Sequence, residues 1–270
     1  MSIETTLFDW KLKHPILISS GPLSTNSSTI ISALNHGAAA IVTKTISDEY
    51  CDSKGKIIHY SQDSLFNCDG FSKLKISQWV DNWKEIKGYP VIANIHASSP
   101  EKLAELAFIM VNAGAEVLEL GLSCPTFDND PICFDLKKLH KYCTSVRGAV
   151  NVPIIVKTIV NLSKEMNRET IRCLDDAGMD GVTLSDSLPA FIKRNGGITG
   201  SFLKPLVMRA LLDIEDSKLC KIAVGGVYSE QDVKDYIECG ASAVGVCSMV
   251  LKKGWSEFEK LVSCVSNENC

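Results

Sequence analysis

The chain has 270 residues, of which 45% are hydrophobic, and a formal net charge of −4. That is enough apolar material for a large core, while the acidic balance argues against a nucleic-acid surface. No apolar run reaches the ~20 residues that cross a bilayer, and Met1-Ser2-Ile3-Glu4 lacks the basic and apolar regions of a secretory signal, so a cytoplasmic setting and no membrane partner are expected.

Ile16 to Ser20 reads as a first strand, stopped by Gly21-Pro22. Ser27 or Ser28 is placed to cap a helix running to His36. Ala40 to Ile46 is a second strand, followed by a long polar excursion, 47–73, with no clear period. A stretch of that length inside a compact chain is usually functional or disordered. Ile76 to Ile86 is a helix and Val91 to Ala97 the third strand. Pro100 opens the next helix at its first turn. Val117 to Leu122 is a fourth strand with Cys124 at its exit, and Pro125, having no N–H, ends the ladder. Phe134 to Val146 is a helix, Pro153 to Ile159 the fifth strand, and Ser163 caps a helix to Ala177. Gly181 to Ser187 is the sixth strand. A glycine-rich insertion, 188–202, follows, centred on Asn195-Gly196-Gly197-Ile198-Thr199-Gly200. Leu203 to Leu212 is a helix, Lys221 to Val227 the seventh strand, Ser229 to Glu238 a helix, Ala243 to Met249 the eighth strand and Trp255 to Val262 the last helix. The tail from Ser263 reads as frayed.

Strict alternation of strand and helix implies parallel strands. Eight units with near-continuous apolar strands imply a closed (β/α)8 TIM barrel, an α/β fold, over 1–270 as a single domain. An open doubly wound sheet is the competing arrangement, but no strand reads as a polar edge. Eleven cysteines, an odd number without paired C-x-x-C spacings, fit a reducing compartment and argue against a zinc site or iron–sulfur cluster.

In such barrels the chemistry sits at the C-terminal strand ends, and the unusual polar residues fall there. Strand one ends Ser19-Ser20-Gly21. Strand two carries Lys44 and strand three Asn94 and His96. Cys124 follows strand four, Lys157 lies in strand five, Ser185-Asp186-Ser187 end strand six, and Gly225-Gly226 and Cys247-Ser248 end strands seven and eight. Two lysines within apolar strands need either a structural partner, such as Glu119, or an anionic ligand. Gly225-Gly226, with the positive end of the helix beginning near Ser229, fits the usual barrel phosphate site. A flavin mononucleotide (FMN) or a phosphosugar satisfies both features.

These residues resemble a family. Gly21-Pro22-Leu23-Ser24-Thr25-Asn26, Thr43-Lys44-Thr45, Leu122-Ser123-Cys124-Pro125, the Gly196-to-Gly200 element with Lys204-Pro205, and Val246-Cys247-Ser248 are similar to the FMN barrels of class 1 dihydroorotate dehydrogenases and of the pyrimidine-reducing domain of dihydropyrimidine dehydrogenase. The match runs from about Ile3 to Val262. The resemblance implies FMN as cofactor and an oxidoreductase acting on CH–CH groups. Cys124 would be the general acid/base, since a thiol's ordinary pKa of about 8.5 lies within reach of neutrality. Ser20, Gly21, Lys44, Thr45, Asn94, Lys157, Ser185 and Gly200 would contact the flavin, and Gly225, Gly226, Cys247 and Ser248 its phosphate. Lys44, Asn67, Thr126, Asp186 and Ser187 would face the substrate.

The chain departs from the family at three asparagines, where it has Gly121, Thr126 and Asp186. An amide donates and accepts, whereas an ionised carboxylate only accepts. The expectation is therefore intact flavin chemistry and rebuilt recognition, with a small-molecule substrate other than dihydroorotate. A genuine dihydroorotate or dihydropyrimidine dehydrogenase is the alternative, and a tRNA-dihydrouridine-synthase-like enzyme a lower one, disfavoured by the acidic charge. His96 reads as a satisfied core histidine before a substrate contact. No dinucleotide fingerprint occurs, so electrons are expected to pass to a small-molecule acceptor or a partner subunit. The resemblance leaves a homodimer open.

Overall fold

The structure is a computed structural model that describes residues 4–49, 57–61, 64–125 and 130–266. Eight parallel strands form its centre: β1 (Ile16–Ile18), β2 (Ala40–Val42), β3 (Val91–His96), β4 (Leu118–Gly121), β5 (Ile154–Thr158), β6 (Gly181–Leu184), β7 (Cys220–Val224) and β8 (Ala243–Val246). Their order is β2-β1-β8-β7-β6-β5-β4-β3, and β2 pairs β3 through Ile41↔Val91 to close the barrel. Between them run α1 (Ser27–Asn35), α2 (Ile76–Ile86), α3 (Pro100–Ala113), α4 (Leu136–Ala149), α5 (Lys164–Asp176), α6 (Leu203–Asp213) and α7 (Glu230–Glu238). Two more, α8 (Ser248–Lys253) and α9 (Trp255–Val265), follow β8. Among the described residues no helix is long and apolar enough to cross a membrane.

Side chains alternate across each strand. Ile16 and Ile18 therefore pack outward under the helices, while Leu17 packs inward with Ala40, Val42, Ile92, Val117, Ile155, Ile222 and Ala243. The inward set is closed from below by an N-terminal hairpin, Thr5–Leu7 with Trp10–Leu12, through Leu7 and Leu12. Stepping two residues up from Leu17, Val42, Ile92, Val117, Ile155 and Ala243 reaches Ser19, Lys44, Asn94, Glu119, Lys157 and Gly245. The strand period thus delivers the polar residues to one level at the top of the barrel.

Several boundaries differ from the sequence reading. Asn26, not a serine, caps α1, accepting from Thr29 N–H at 2.9 Å, with Asn26 N–H bonded in return to Thr29 Oγ1. The second strand stops at Val42 and resumes as Ile46–Ser47. Lys44 falls in the break and lines the barrel mouth. The sixth strand ends at Leu184, three residues early. The excursion and the glycine-rich insertion are not separate loops. Ile57–Ser61, Ser64–Asn67, Asn195–Gly200 and Leu188–Phe191 make one antiparallel four-stranded sheet, with Asn67 opposite Gly197. A Cβ on Gly197 would stand 2.0 Å from Ser187 Oγ and 3.0 Å from Pro125 Cγ, so glycine lets the sheet lie directly on the Cys124 loop.

Candidate active site

Two adjoining cavities open at the C-terminal strand ends. One, about 710 Å³ with its open mouth, lies between β1, β6, β7 and β8 and is lined by Ser20, Gly21, Ser185, Gly225, Gly226, Cys247 and Ser248. The other, about 510 Å³ with its open mouth, is lined by Lys44, Thr45, Asn67, Asn94, Cys124, Lys157, Asp186 and Ser187. Ser20, Gly21, Asn67, Lys157, Asp186 and Ser187 border both, so they form one groove. Of the residues expected at the site, Gly200 stands apart: it pairs with Ser64 in the covering sheet, and Thr199 and Leu203 form the wall there. Thr126 lies outside the described residues.

Both lysines have carboxylate partners. Lys44 Nζ is 2.8 Å from Asp69 Oδ2, and Asp69 N–H donates to Asn67 Oδ1 at 2.8 Å. Lys157 Nζ is 3.5 Å from Asp186 Oδ1. The expected partner Glu119 is engaged elsewhere: it accepts from Asn94 Nδ2 at 2.6 Å and from Thr183 Oγ1 at 2.5 Å. Burial lowers the Lys157 pKa, but the charges of Asp186 and Glu119 more than offset this and hold the ammonium above its ordinary range. Asp186 also accepts from Ser123 Oγ at 2.7 Å and from Ser187 N–H at 2.8 Å, tying the end of β6 to the loop that carries Cys124.

Asp69 and Ser123 are members of this network that sequence reasoning did not assign. For Asp69 the signal was Lys44 itself: a buried ammonium demands a counter-charge, and Asp69 is the acid nearest Asn67. Ser123 has no such signal, because its partner comes from another strand end.

A Cβ on Gly121 would stand 2.8 Å from Asn94 Oδ1. Asn94 thus lies directly against Gly121, and a side chain at 121 would have to displace its amide. Asp186 has replaced an amide by an acceptor-only group, but one whose charge is met by Lys157 and whose oxygens are held by Ser123 and Ser187.

The residues present suit an FMN. Asn94 is buried and its Oδ1 has no hydrogen-bond partner among the described residues, although it borders the groove beside both lysines. Gly225 and Gly226 have φ of 109° and 72°, which L side chains rarely adopt, and their backbone forms the floor at the other end. One expectation for that end is corrected. The positive end of α7 does not serve the groove. The cavity wall stops at Val227, short of the helix, and the Asp232 carboxylate turns back to accept from Tyr228 N–H and Ser229 N–H at 2.9 and 2.8 Å while pairing with Lys204. Cys247 and Ser248 instead bring the start of α8 to the cavity wall. Burial, first among its causes, pushes the Cys247 thiol up to about 11, so it stays a neutral neighbour.

The comparisons with known proteins agree with this geometry. The sequence profile of the dihydroorotate dehydrogenase family matches residues 2–267. The catalytic subunit of dihydroorotate dehydrogenase B (NAD(+)) of Thermoplasma acidophilum is 27% identical over 97% of this chain and 91% of its own length. The protein of the same name from Pyrococcus abyssi is 28% identical over 98% of this chain and 93% of its own. In fold the chain is similar to the crystal structure of DHODH from Eimeria tenella in complex with ferulenol, with a TM-score of 0.84 at 16% identity, covering 98% of this chain and 85% of that one. A profile match over nearly the whole length, on a closed parallel barrel, makes the chain a member of the dihydroorotate dehydrogenase family.

Proposed function

We propose that this protein is an FMN-dependent dehydrogenase that interconverts the single and double C–C bond next to a carbonyl in a dihydropyrimidine ring. The observation that carries the reading is the meeting of Lys44, Lys157, Cys124 and the unsatisfied Asn94 Oδ1 around one groove. When bound, FMN supplies the hydride acceptor. The chain's own residues do the rest. Cys124 takes the proton from the carbon beside the carbonyl. Lys44 and Lys157 stabilise negative charge on the cofactor's polar edge, and Asn94 Oδ1 accepts a hydrogen bond from it. Backbone N–H groups at Gly225-Gly226 and Cys247-Ser248 hold the phosphate. Ser20, Gly21, Thr45 and Ser185 line the cofactor, and Asn67, Asp186 and Ser187 face the substrate.

The relatives' names favour dihydroorotate itself over a displaced substrate. They also name a catalytic subunit, which supports a partner subunit as the electron outlet of this chain. The expected result is a purified protein with flavin absorbance that is bleached on anaerobic mixing with dihydroorotate. A colourless protein that takes up no FMN would sink the proposal.

Asp186 sets a second test. Replacing it with Asn removes a charged acceptor, worth about 1.5–3 kcal/mol at a hydrogen bond. Asp186→Asn is therefore expected to shift the ratio of kcat/KM for dihydroorotate over dihydrouracil upward by about tenfold, with a smaller change in FMN affinity. An unchanged ratio would remove Asp186 from substrate recognition.

A further inference from the structure

A third cavity, about 1770 Å³ with its open mouth, lies behind the Cys124 loop, and Cys124 borders both this cavity and the groove. His96, at the end of β3, and Glu49, at the start of the excursion, also line it. His96 has a side chain only 12% exposed and is held in one orientation. The Phe71 ring lies against it at 4.5 Å between centroids, and Nδ1 is 2.8 Å from Gly121 O. A carbonyl oxygen only accepts, so Nδ1 carries the proton. Nε2 then faces Glu49 Oε2 at 3.7 Å. In the neutral ring this sets two lone pairs against each other. The arrangement is completed by a proton at Nε2 or by a water donating to both.

Burial pushes the His96 imidazole below its ordinary value, with the Gly121 carbonyl, Glu49 and Asp48 pulling the other way. The ring is therefore neutral at rest and able to receive a proton. Glu49 is 42% exposed and opens the pair to solvent. The remaining charged groups around the cavity are engaged or open to water. Asp48 pairs with Lys102 at 3.1 Å, Lys141 with Glu101 at 3.7 Å and Lys138 with Asp135 at 3.9 Å. Asp130 is exposed, and the Tyr142 hydroxyl, its pKa raised by burial, donates to Ser98 O at 3.0 Å.

On the groove side the charged groups that line the same cavity as Cys124 are already paired. Ser123 donates to Asp186, and the two lysines are held by Asp69 and Asp186. Bound cofactor and substrate would exclude water from that side.

We propose that His96 and Glu49 form the route by which Cys124 exchanges its proton with solvent through the outer cavity. The proposal rests on the reading of Cys124 as the acid/base. Once the thiolate has taken the substrate proton, the S–H bond breaks and the proton passes through cavity water to His96 Nε2. This restores the thiolate and forms an imidazolium. The imidazolium then gives the proton to the Glu49 carboxylate and on to bulk water. One proton moves and no electrons do. His96 is a positioning residue, because it acts through Cys124.

His96→Asn tests this in the flavin-loaded protein, since an amide keeps a donor for Gly121 O but does not titrate. An acceptor must be neutral, so in the native enzyme kcat falls as pH drops through the His96 pKa, below about 6.5. His96→Asn is expected to lower kcat about 10²-fold, at the lower end of the range for a lost proton-transfer group, leave KM unchanged, lose that acidic limb and regain part of its rate with added imidazole. The pH dependence of Cys124 alkylation by iodoacetamide, followed by peptide mapping, is expected to shift as well. Glu49→Gln, at a half-exposed position, is expected to move the same limb by a smaller amount. Native pH profiles for turnover and alkylation in both variants would overturn the relay. If Cys124→Ala also left turnover intact, the underlying assignment of the thiol would fail with it.

Discussion

Cys124→Ala is expected to retain its flavin and to lose about 10²–10⁴-fold in the rate at which substrate bleaches it, the range for a positioned proton-transfer group. Stopped-flow absorbance under anaerobic conditions measures this directly. The reason lies in how the thiol is placed. β4 ends at Gly121, Pro125 cannot continue the ladder, and the loop between them hangs Cys124 where the groove and the outer cavity meet. The side chain is only half-buried, so its removal leaves little unfilled core and thermal stability should barely change. The flavin-facing residues lie on other strands and stay where they are. An undiminished bleaching rate would take Cys124 out of the chemistry.

The second large effect is expected at the opposite end of the groove. In Gly226→Val the new Cβ would stand 2.8 Å from Lys204 N and 3.0 Å from Ser201 O, on a backbone with φ of 72°. Positive φ costs an L residue about 1–2 kcal/mol, and here the neighbours are backbone atoms that cannot step aside. The loop has to move, and the phosphate loses N–H donors worth about 1.5–3 kcal/mol each. FMN affinity should fall by about 10²-fold or more, read by fluorescence titration of the apoprotein. Gly240→Ala is the control. Its φ is 92° but nothing lies within 4 Å of the added atom, and it sits at the far end of α7. It should share the strain and keep the cofactor. Equal FMN affinity in both variants would mean that the Gly226 turn does not hold the phosphate.

The barrel was legible because its signals are local and repeated. Apolar runs such as Ile154-Ile155-Val156 recur between capped helices, and eight of them leave few topologies. The placement of Lys44, Asn94 and Lys157 at one level follows from a two-residue period that can be counted along the chain. The covering sheet was not legible. Ser64–Asn67 and Asn195–Gly200 are short, rich in polar residues and glycine, and stabilised by pairing with each other across about half of the chain. Nothing in either stretch alone distinguishes such a strand from a loop. The same limit hid Asp69, whose partner Lys44 it meets only once the excursion folds back. The α7 terminus misled for a different reason. Ser229 and Asp232 form a capping box visible in the sequence, but only the fold shows that the helix begins beyond the cavity wall, which ends at Val227.

The shared sheet means that two stretches of chain far apart in sequence behave as one hereditary unit. Exchanging the excursion alone with that of a relative would strip the glycine-rich insertion, Leu188–Phe191 with Asn195–Gly200, of its pairing edge, and exchanging the insertion alone would do the reverse. Chimeras that retune what this enzyme accepts should therefore transplant both segments together, leaving the wheel of strands beneath them untouched.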